Sequence, residues 1–187
     1  MILFIDACVR KCSRTKRLAE RVLEHLQGPV ETVRLETIDF PKADEAFLMK
    51  RDACIAAGDF SDPMFDLAKQ FVRADVIVVA APHWDLSFPA ALKQYFEQIN
   101  VVGLTFRYTN SDMQETLCRA KKLLYVATAG GPVRSHDYGF GYIKAIGAEF
   151  YGIKDAALFC AEGLDIIGAD TEAILHKTEA EIDRALR

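Results

Sequence analysis

Asp75-Val-Ile-Val-Val-Ala-Ala81 is apolar at every position after its first residue. A strand that is apolar on both faces must be covered on both, as a central strand of a parallel sheet is when helices pack above and below it. Working outward from it, helical and strand periodicities alternate. Pro63 to Ala74 reads as a helix with Phe65, Leu67, Ala68, Phe71 and Val72 inward, and Pro89 to Ile99 as another with Leu92, Tyr95, Phe96 and Ile99 inward. Towards the N-terminus, Ile2 to Ala7 is a short strand. Ser13 caps a helix with apolar positions at Leu18, Val22, Leu23 and Leu26, ended by Gly28-Pro29. Val30 to Leu35 alternates apolar and charged residues, as a half-exposed edge strand does. Residues 36 to 62 are irregular, with a short helix around Ala43 to Ala57. Towards the C-terminus come a strand at Leu123 to Thr128, a helix at Tyr142 to Tyr151, a strand at Ala157 to Ala161 and a helix at Thr171 to Leu186.

Five strands alternating with helices predict a doubly wound α/β fold. Right-handed crossovers leave the order 2-1-3-4-5 as the arrangement built from five such units. There a ligand sits at the carboxyl ends of strands 1 and 3, where the winding reverses. Cys8 to Thr15 and Pro82 to Phe88 are therefore the loops that matter.

The chain has 187 residues, 51% of them hydrophobic and 27% charged, with a net charge of −4. That length and composition predict one domain, residues 1–187, with a full core, and exclude disordered, collagen-like and coiled-coil classes. The longest apolar run, Val76 to Pro82, is far short of the ~20 residues that cross a bilayer. No basic segment precedes the apolar start, so a cytoplasmic protein without a signal peptide is expected. The acidic balance argues against nucleic acid as a partner. Cysteines 8, 12, 54, 118 and 160 are odd in number. Cys8 and Cys12 lack CxxC spacing and no second Cys or His pair completes a set, so free thiols and no metal site are expected.

In the first loop, five of the eight residues from Arg10 to Arg17 are basic. Ser13 and Thr15 stand where the next helix begins, and hydroxyls beside exposed N–H groups at a positive helix end suit a phosphate. The competing reading is a capped helix with a solvated basic turn. Neither GxxxxGK[ST] nor GxGxxG is present, which favours a mononucleotide over a nucleoside triphosphate or a dinucleotide. The second loop, Pro82-His-Trp-Asp-Leu-Ser-Phe-Pro89, carries the chain's one Trp between two prolines. Such a loop lies along a flat heterocycle or caps the core. After strand 4, Thr128-Ala-Gly-Gly-Pro132 brings paired glycines to the same sheet edge, for close approach of a ligand or for a turn, and His136 follows. There is no GxSxG, no HExxH and no placeable carboxylate pair. The reactive group is thus expected to come from a cofactor.

These residues resemble the flavodoxin-like FMN-dependent quinone and azo reductases. Four segments carry the resemblance: the opening strand with Ser13-Arg-Thr15; Ala81 to Phe96 followed by Gly103-Leu-Thr-Phe-Arg-Tyr-Thr109; Thr128-Ala-Gly-Gly131; and Gly152-Ile-Lys-Asp155 leading to Ala161-Glu-Gly163. The resemblance implies non-covalent FMN, NADH or NADPH as co-substrate, a small quinone-like or azo acceptor, and a homodimer whose interface completes the pocket. By the same resemblance, Arg10, Ser13, Arg14 and Thr15 hold the phosphate. Pro82, His83, Trp84, Asp85 and Leu86 flank the ring, and Thr128, Ala129, Gly130 and Gly131 meet its polar edge. His136 and Tyr138 are the candidates for guiding a proton to the acceptor.

The chain departs from the family pattern in three places. Asp85 stands where the family commonly has Asn, and an ionised carboxylate only accepts hydrogen bonds, which predicts a lowered flavin potential. The first loop is richer in Arg and Lys, and residues 36 to 62 do not match. Two other readings follow from the same residues: an electron carrier of flavodoxin type without its own substrate, and a flavodoxin-like domain that has lost FMN.

Overall fold

The structure, a computed structural model, describes residues 1–109 and 114–187. Five parallel strands, β1 (Ile2–Asp6), β2 (Val30–Arg34), β3 (Val76–Ala80), β6 (Lys122–Thr128) and β7 (Asp155–Ala161), form one sheet in the order β2-β1-β3-β6-β7. This is the expected 2-1-3-4-5 arrangement. β1 is the second strand in and pairs on both sides, Ile5 lying between Val33 and Val79. Every residue of β1 is buried, whereas β2 buries only Val33, as its alternating pattern requires of an edge.

Side-chain alternation along the strands divides the interior into two cores. Leu3, Ile5, Ile77, Val79, Leu123 and Tyr125 face one side, under α3 (Asp66–Arg73), α4 (Ala90–Ile99) and α5 (Tyr142–Tyr151). Ile2, Phe4, Val78, Ala80, Leu124 and Val126 face the other, under α1 (Arg14–Glu24) and α6 (Thr171–Ala185). On α1, Leu18 and Val22 are fully buried, while Leu23, and Leu26 just past the helix end, pack at the margin.

Three local readings change. The helix expected over 63–74 begins as a tight 3-10 turn, Pro63–Phe65, because the Asp62 carboxylate accepts the Met64 N–H and closes a shorter ring before α3 starts. Within 36–62, α2 (Glu45–Ala57) is a full helix, capped by Asp44 on the Phe47 N–H and ended by Gly58 at φ +66°. A short antiparallel pair, β4 (Phe106–Tyr108) with β5 (Gln114–Thr116), stands beside the main sheet and was not anticipated. Among the described residues, no helix is long and apolar enough to cross a membrane.

Candidate active site

The carboxyl ends of β1, β3 and β6 open onto one cleft of about 150 Å3. Its first wall is the loop after β1. Asp6, only 1% exposed, ends the strand by accepting the Cys8 N–H at 3.0 Å and pairing with Lys16 Nζ at 3.2 Å, which turns the chain sharply towards α1. Ser13 then caps α1, its hydroxyl accepting the Lys16 N–H at 3.2 Å. The N–H groups of Arg14 and Thr15 are left without intrahelical partners. Thr15 is buried, and its Oγ1 lies 2.6 Å from Thr128 Oγ1 at the end of β6.

The electrostatics of this loop differ from what its composition suggests. Arg14 is held by the Leu164 carbonyl at 3.1 Å and the Asp165 carboxylate at 2.8 Å. Lys16 belongs to Asp6, and Arg17 lies on Glu172 and Glu179, which raise its pKa. Basic residues at a helix N-terminus oppose the macrodipole, and these acids offset that penalty. Arg10 and Lys11 are exposed and have no acidic partner among the described residues. Burial pushes the Cys8 thiol up to about 12, the Ser13 hydrogen bond opposing the shift.

The second wall is the loop after β3. The His83 N–H donates to the Thr128 carbonyl at 2.9 Å, which fixes Pro82 and Trp84 against the end of β6. Trp84 and Ser87 exchange backbone hydrogen bonds of 3.1 and 2.7 Å around a tight turn. Its two central residues, Asp85 at φ +49° and Leu86 at φ +69°, are left-handed, the backbone of a primed hairpin turn that ordinarily takes Asn and Gly. Leu in that region is strained, and such strain clusters at functional sites. Ser87 Oγ donates to the Tyr138 carbonyl at 2.6 Å and ties this turn to residues 137–141, a wide helical turn beginning after His136.

The third wall is Thr128-Ala129-Gly130, with Asp165 opposite. The Asp165 N–H donates to the Gly130 carbonyl at 2.9 Å, and a Cβ on Gly130 would run into the Asp165 carboxylate.

Of the sequence candidates, the structure gathers Arg10, Ser13, Arg14, Thr15, Pro82, His83, Trp84, Thr128, Ala129 and Gly130 around this cleft. It does not bring Asp85, Leu86 or Gly131 into the lining. Asp85 and Leu86 occupy the outward tip of the Trp84–Ser87 turn, where Leu86 is 68% exposed, and Gly131 lies past the strand end with open space around it. His136 and Tyr138 are also outside the lining. The His136 Nε2 is 3.3 Å from Glu162 Oε1, and Tyr138 is exposed beside the Trp84 turn. Cys8, Val9, Cys12 and Asp165 line the cleft without having been singled out. The first three belong to a loop already marked, and Asp165 lies on the loop after β7, which also opens at the carboxyl edge of the sheet.

A family model described as flavodoxin-like fold matches residues 1–186. The chain belongs to the flavodoxin-like fold family. Within this family it is 34% identical, over 95% of its own length and 93% of the relative's, to a Clostridium acetobutylicum protein named FMN-dependent NADH:quinone oxidoreductase 2. Among solved structures, an azoreductase from Bacillus anthracis superposes with a TM-score of 0.81 at 21% identity, covering 99% of this chain and 97% of that one. A Bacillus anthracis FMN-dependent NADH-azoreductase in complex with FMN gives 0.79 at 22% identity, covering 99% and 97%. At those identities the two structures speak for the flavodoxin-like fold itself.

Proposed function

We propose that this chain is an FMN-dependent NADH:quinone oxidoreductase that also reduces azo compounds, one FMN-binding domain over residues 1–187. The observation that carries the reading is the chemistry of the cleft at the reversal point between β1 and β3. There a capped helix N-terminus, the free Arg10, the Trp84 indole and the side-chain-free edge at Gly130 converge. The relative of that name, 34% identical over nearly the whole chain, supports it.

The residues present fit FMN. The Ser13 hydroxyl, the unpartnered N–H groups of Arg14 and Thr15, and Arg10 suit the phosphate dianion. Pockets that enclose a whole ligand run to roughly 300–1,000 Å3. The enclosed cleft of about 150 Å3 therefore suits the phosphate end, with the flat ring along the open rim at Pro82, His83 and Trp84. Ala129 and Gly130 present backbone to the ring's polar edge, while Arg14 and Thr15 brace the wall through Asp165 and Thr128. Bound FMN supplies the redox step, accepting a hydride from NADH and passing two electrons to the acceptor. The protein's own part is to hold the phosphate, orient the ring and leave one face open to the two substrates in turn. Tyr138, exposed beside the Trp84 turn, is the residue we assign to guiding a proton to the acceptor; His136, the other candidate, lies outside the cleft lining, 3.3 Å from Glu162.

Trp84, Leu86 and Tyr138 leave an exposed apolar rim on the open side of the cleft, and a second copy covering that rim would complete the pocket. We therefore propose a homodimer. Five free cysteines suit a reducing compartment, and we propose the cytoplasm.

The test is a visible spectrum of the purified protein after adding FMN and desalting, followed by NADH and then a quinone. Retained stoichiometric flavin that NADH bleaches and the quinone restores is the expected result. Absence of retained flavin overturns the cofactor assignment. Bleaching by NADH without quinone turnover makes the protein an electron carrier.

A further inference from the structure

Outside the lining of the cleft, three side chains of different chemistry come together. His136 precedes the wide turn Asp137–Gly141, Cys160 lies near the end of β7, and Glu162 follows two residues later. Residues two apart on an extended chain share a face, so Cys160 and Glu162 look the same way, towards His136. One ligating atom from each, a ring nitrogen, the thiol sulfur and a carboxylate oxygen, all lie within 4.8 Å of one another, and all three residues are half-buried.

We propose that His136, Cys160 and Glu162 form a binding site for a zinc-like divalent cation, with a water completing a tetrahedron. Imidazole, thiolate and carboxylate are the three donor types that Zn2+ takes together, and a mixed set with sulfur selects against Mg2+ and Ca2+. Zinc bonds of about 2.0–2.1 Å to nitrogen and oxygen at tetrahedral angles set those two ligand atoms about 3.3 Å apart. The His136 Nε2 and Glu162 Oε1 are 3.3 Å apart. Unlike the His25–Asp183 pair, they are not aligned as a hydrogen bond.

The surroundings of the site support a bound ion. Glu162 Oε2 accepts the Val133 N–H at 2.8 Å, which orients the carboxylate and leaves Oε1 free, the outer-shell arrangement that well-built metal ligands have. The His136 carbonyl accepts the N–H groups of both Gly139 and Gly141, at 3.2 and 2.7 Å, so the backbone that carries the imidazole is fixed. Wide helical turns of this kind recur at functional sites. A cleft of about 330 Å3, lined also by Lys177 and Glu181, reaches Cys160 and Glu162 from outside. Burial keeps the Cys160 thiol protonated, pushed up to about 12. Binding forms the metal–sulfur bond as the thiol proton leaves to solvent, since a coordinated thiol deprotonates outright. The bound ion would pin the 131–141 segment, which carries Tyr138, to the end of β7.

The experiment is titration of the full chain with Zn2+ against a chromophoric chelator, and with Co2+, whose thiolate charge-transfer band reports sulfur ligation. Wild-type protein is expected to bind one ion per chain and to show that band. Cys160→Ser should abolish the band, and Cys160→Ser, Glu162→Gln and His136→Asn should each weaken Zn2+ binding by roughly tenfold or more. Melting curves in excess chelator establish that each variant is folded, and only wild type should gain in melting temperature when Zn2+ is added. Failure to saturate at one ion per chain overturns the site. Binding that is unchanged in all three folded variants overturns it as well.

Discussion

Thr15 Oγ1 and Thr128 Oγ1 approach to 2.6 Å, joining the first turn of α1 to the end of β6 across 113 residues of sequence. Both residues are buried, so each hydroxyl has the other as its partner and water has little access. Thr128 also gives its carbonyl to the His83 N–H, so one residue ties together all three walls of the cleft. Replacing either threonine by valine keeps the shape but strands one buried hydroxyl, at a cost of about 1–3 kcal/mol. The double variant strands none. In urea unfolding, Thr15→Val/Thr128→Val should lose clearly less stability than the sum of the two single variants. Strict additivity would mean that the hydroxyls do not depend on each other.

Gly130 has two neighbours to satisfy. The resemblance made it a point of ligand approach, and the structure sets the Asp165 carboxylate where its Cβ would be. Gly130→Ala should therefore displace Asp165, loosen Arg14 and weaken FMN retention. Because Asp165 is an exposed side chain that can swing away, the fold should survive. Gly130→Ala/Asp165→Ala removes that collision. Flavin retention that stays low in the double variant, measured after desalting, would show that the glycine serves the ligand directly. Full recovery would show that it serves only Asp165.

How much of this was legible in the sequence follows from the range of the interactions. Asp75 to Ala81 announced a covered parallel strand because burial on both faces is written into six consecutive apolar residues, Val76 to Ala81, and from it the sheet order followed. Ser13 was legible because a cap acts within three residues. The neutralised charges were not. Arg14 finds Asp165, and Arg17 finds Glu172 and Glu179, about 150 or more residues away, so in a loop that reads as strongly basic only Arg10 and Lys11 lack an acidic partner among the described residues. The outward tip at Asp85 and Leu86 was hidden for a different reason: Asp tolerates a left-handed turn, but Leu86 stands where such a turn ordinarily takes glycine. The His136, Cys160 and Glu162 cluster was invisible to spacing rules, because β7 and the residue just after it deliver two of its members and the 131–141 segment the third.

Tyr95 is wholly buried among Phe71 and Phe96, and its hydroxyl is the one buried side-chain polar atom without a partner among the described residues. Burial also raises its pKa far above the usual phenol range, so the group stays neutral at any workable pH. Removing an unpaired buried hydroxyl recovers its desolvation penalty, of order 1 kcal/mol or more. Tyr95→Phe should therefore raise the melting temperature and leave flavin retention unchanged. A clear loss of stability would mean that the hydroxyl has a partner, such as an internal water.

Asp183 takes Arg21 at 2.6 and 2.7 Å and His25 at 2.8 Å, which hold its carboxyl well below the usual range, Arg21 contributing most. A depressed acid stabilises the fold above its unfolded pKa, roughly 3.9, and that contribution fades as pH falls towards the folded value. Wild type should then melt above Asp183→Asn at pH 6, with the gap closing progressively below about pH 4. A gap that holds constant down to pH 2 would assign the effect of the substitution to packing between α1 and α6 instead of charge.

Leu86 pays for its place in the Trp84–Ser87 turn. A non-glycine residue in the left-handed region is disfavoured by about 1–2 kcal/mol, while glycine's extra freedom in the unfolded chain takes back roughly 0.5–1 kcal/mol. Leu86→Gly should thus stabilise the protein by up to about 1 kcal/mol, read as a higher urea midpoint. A strained, exposed leucine beside the cleft points to a use that outweighs its strain. If that use is to cover the open rim against a second copy, Leu86→Gly should also shift the protein from dimer towards monomer in sedimentation at low concentration. A stabilised variant that stays dimeric would place the leucine's contribution at the acceptor side of the cleft, where KM for the quinone should rise in its place.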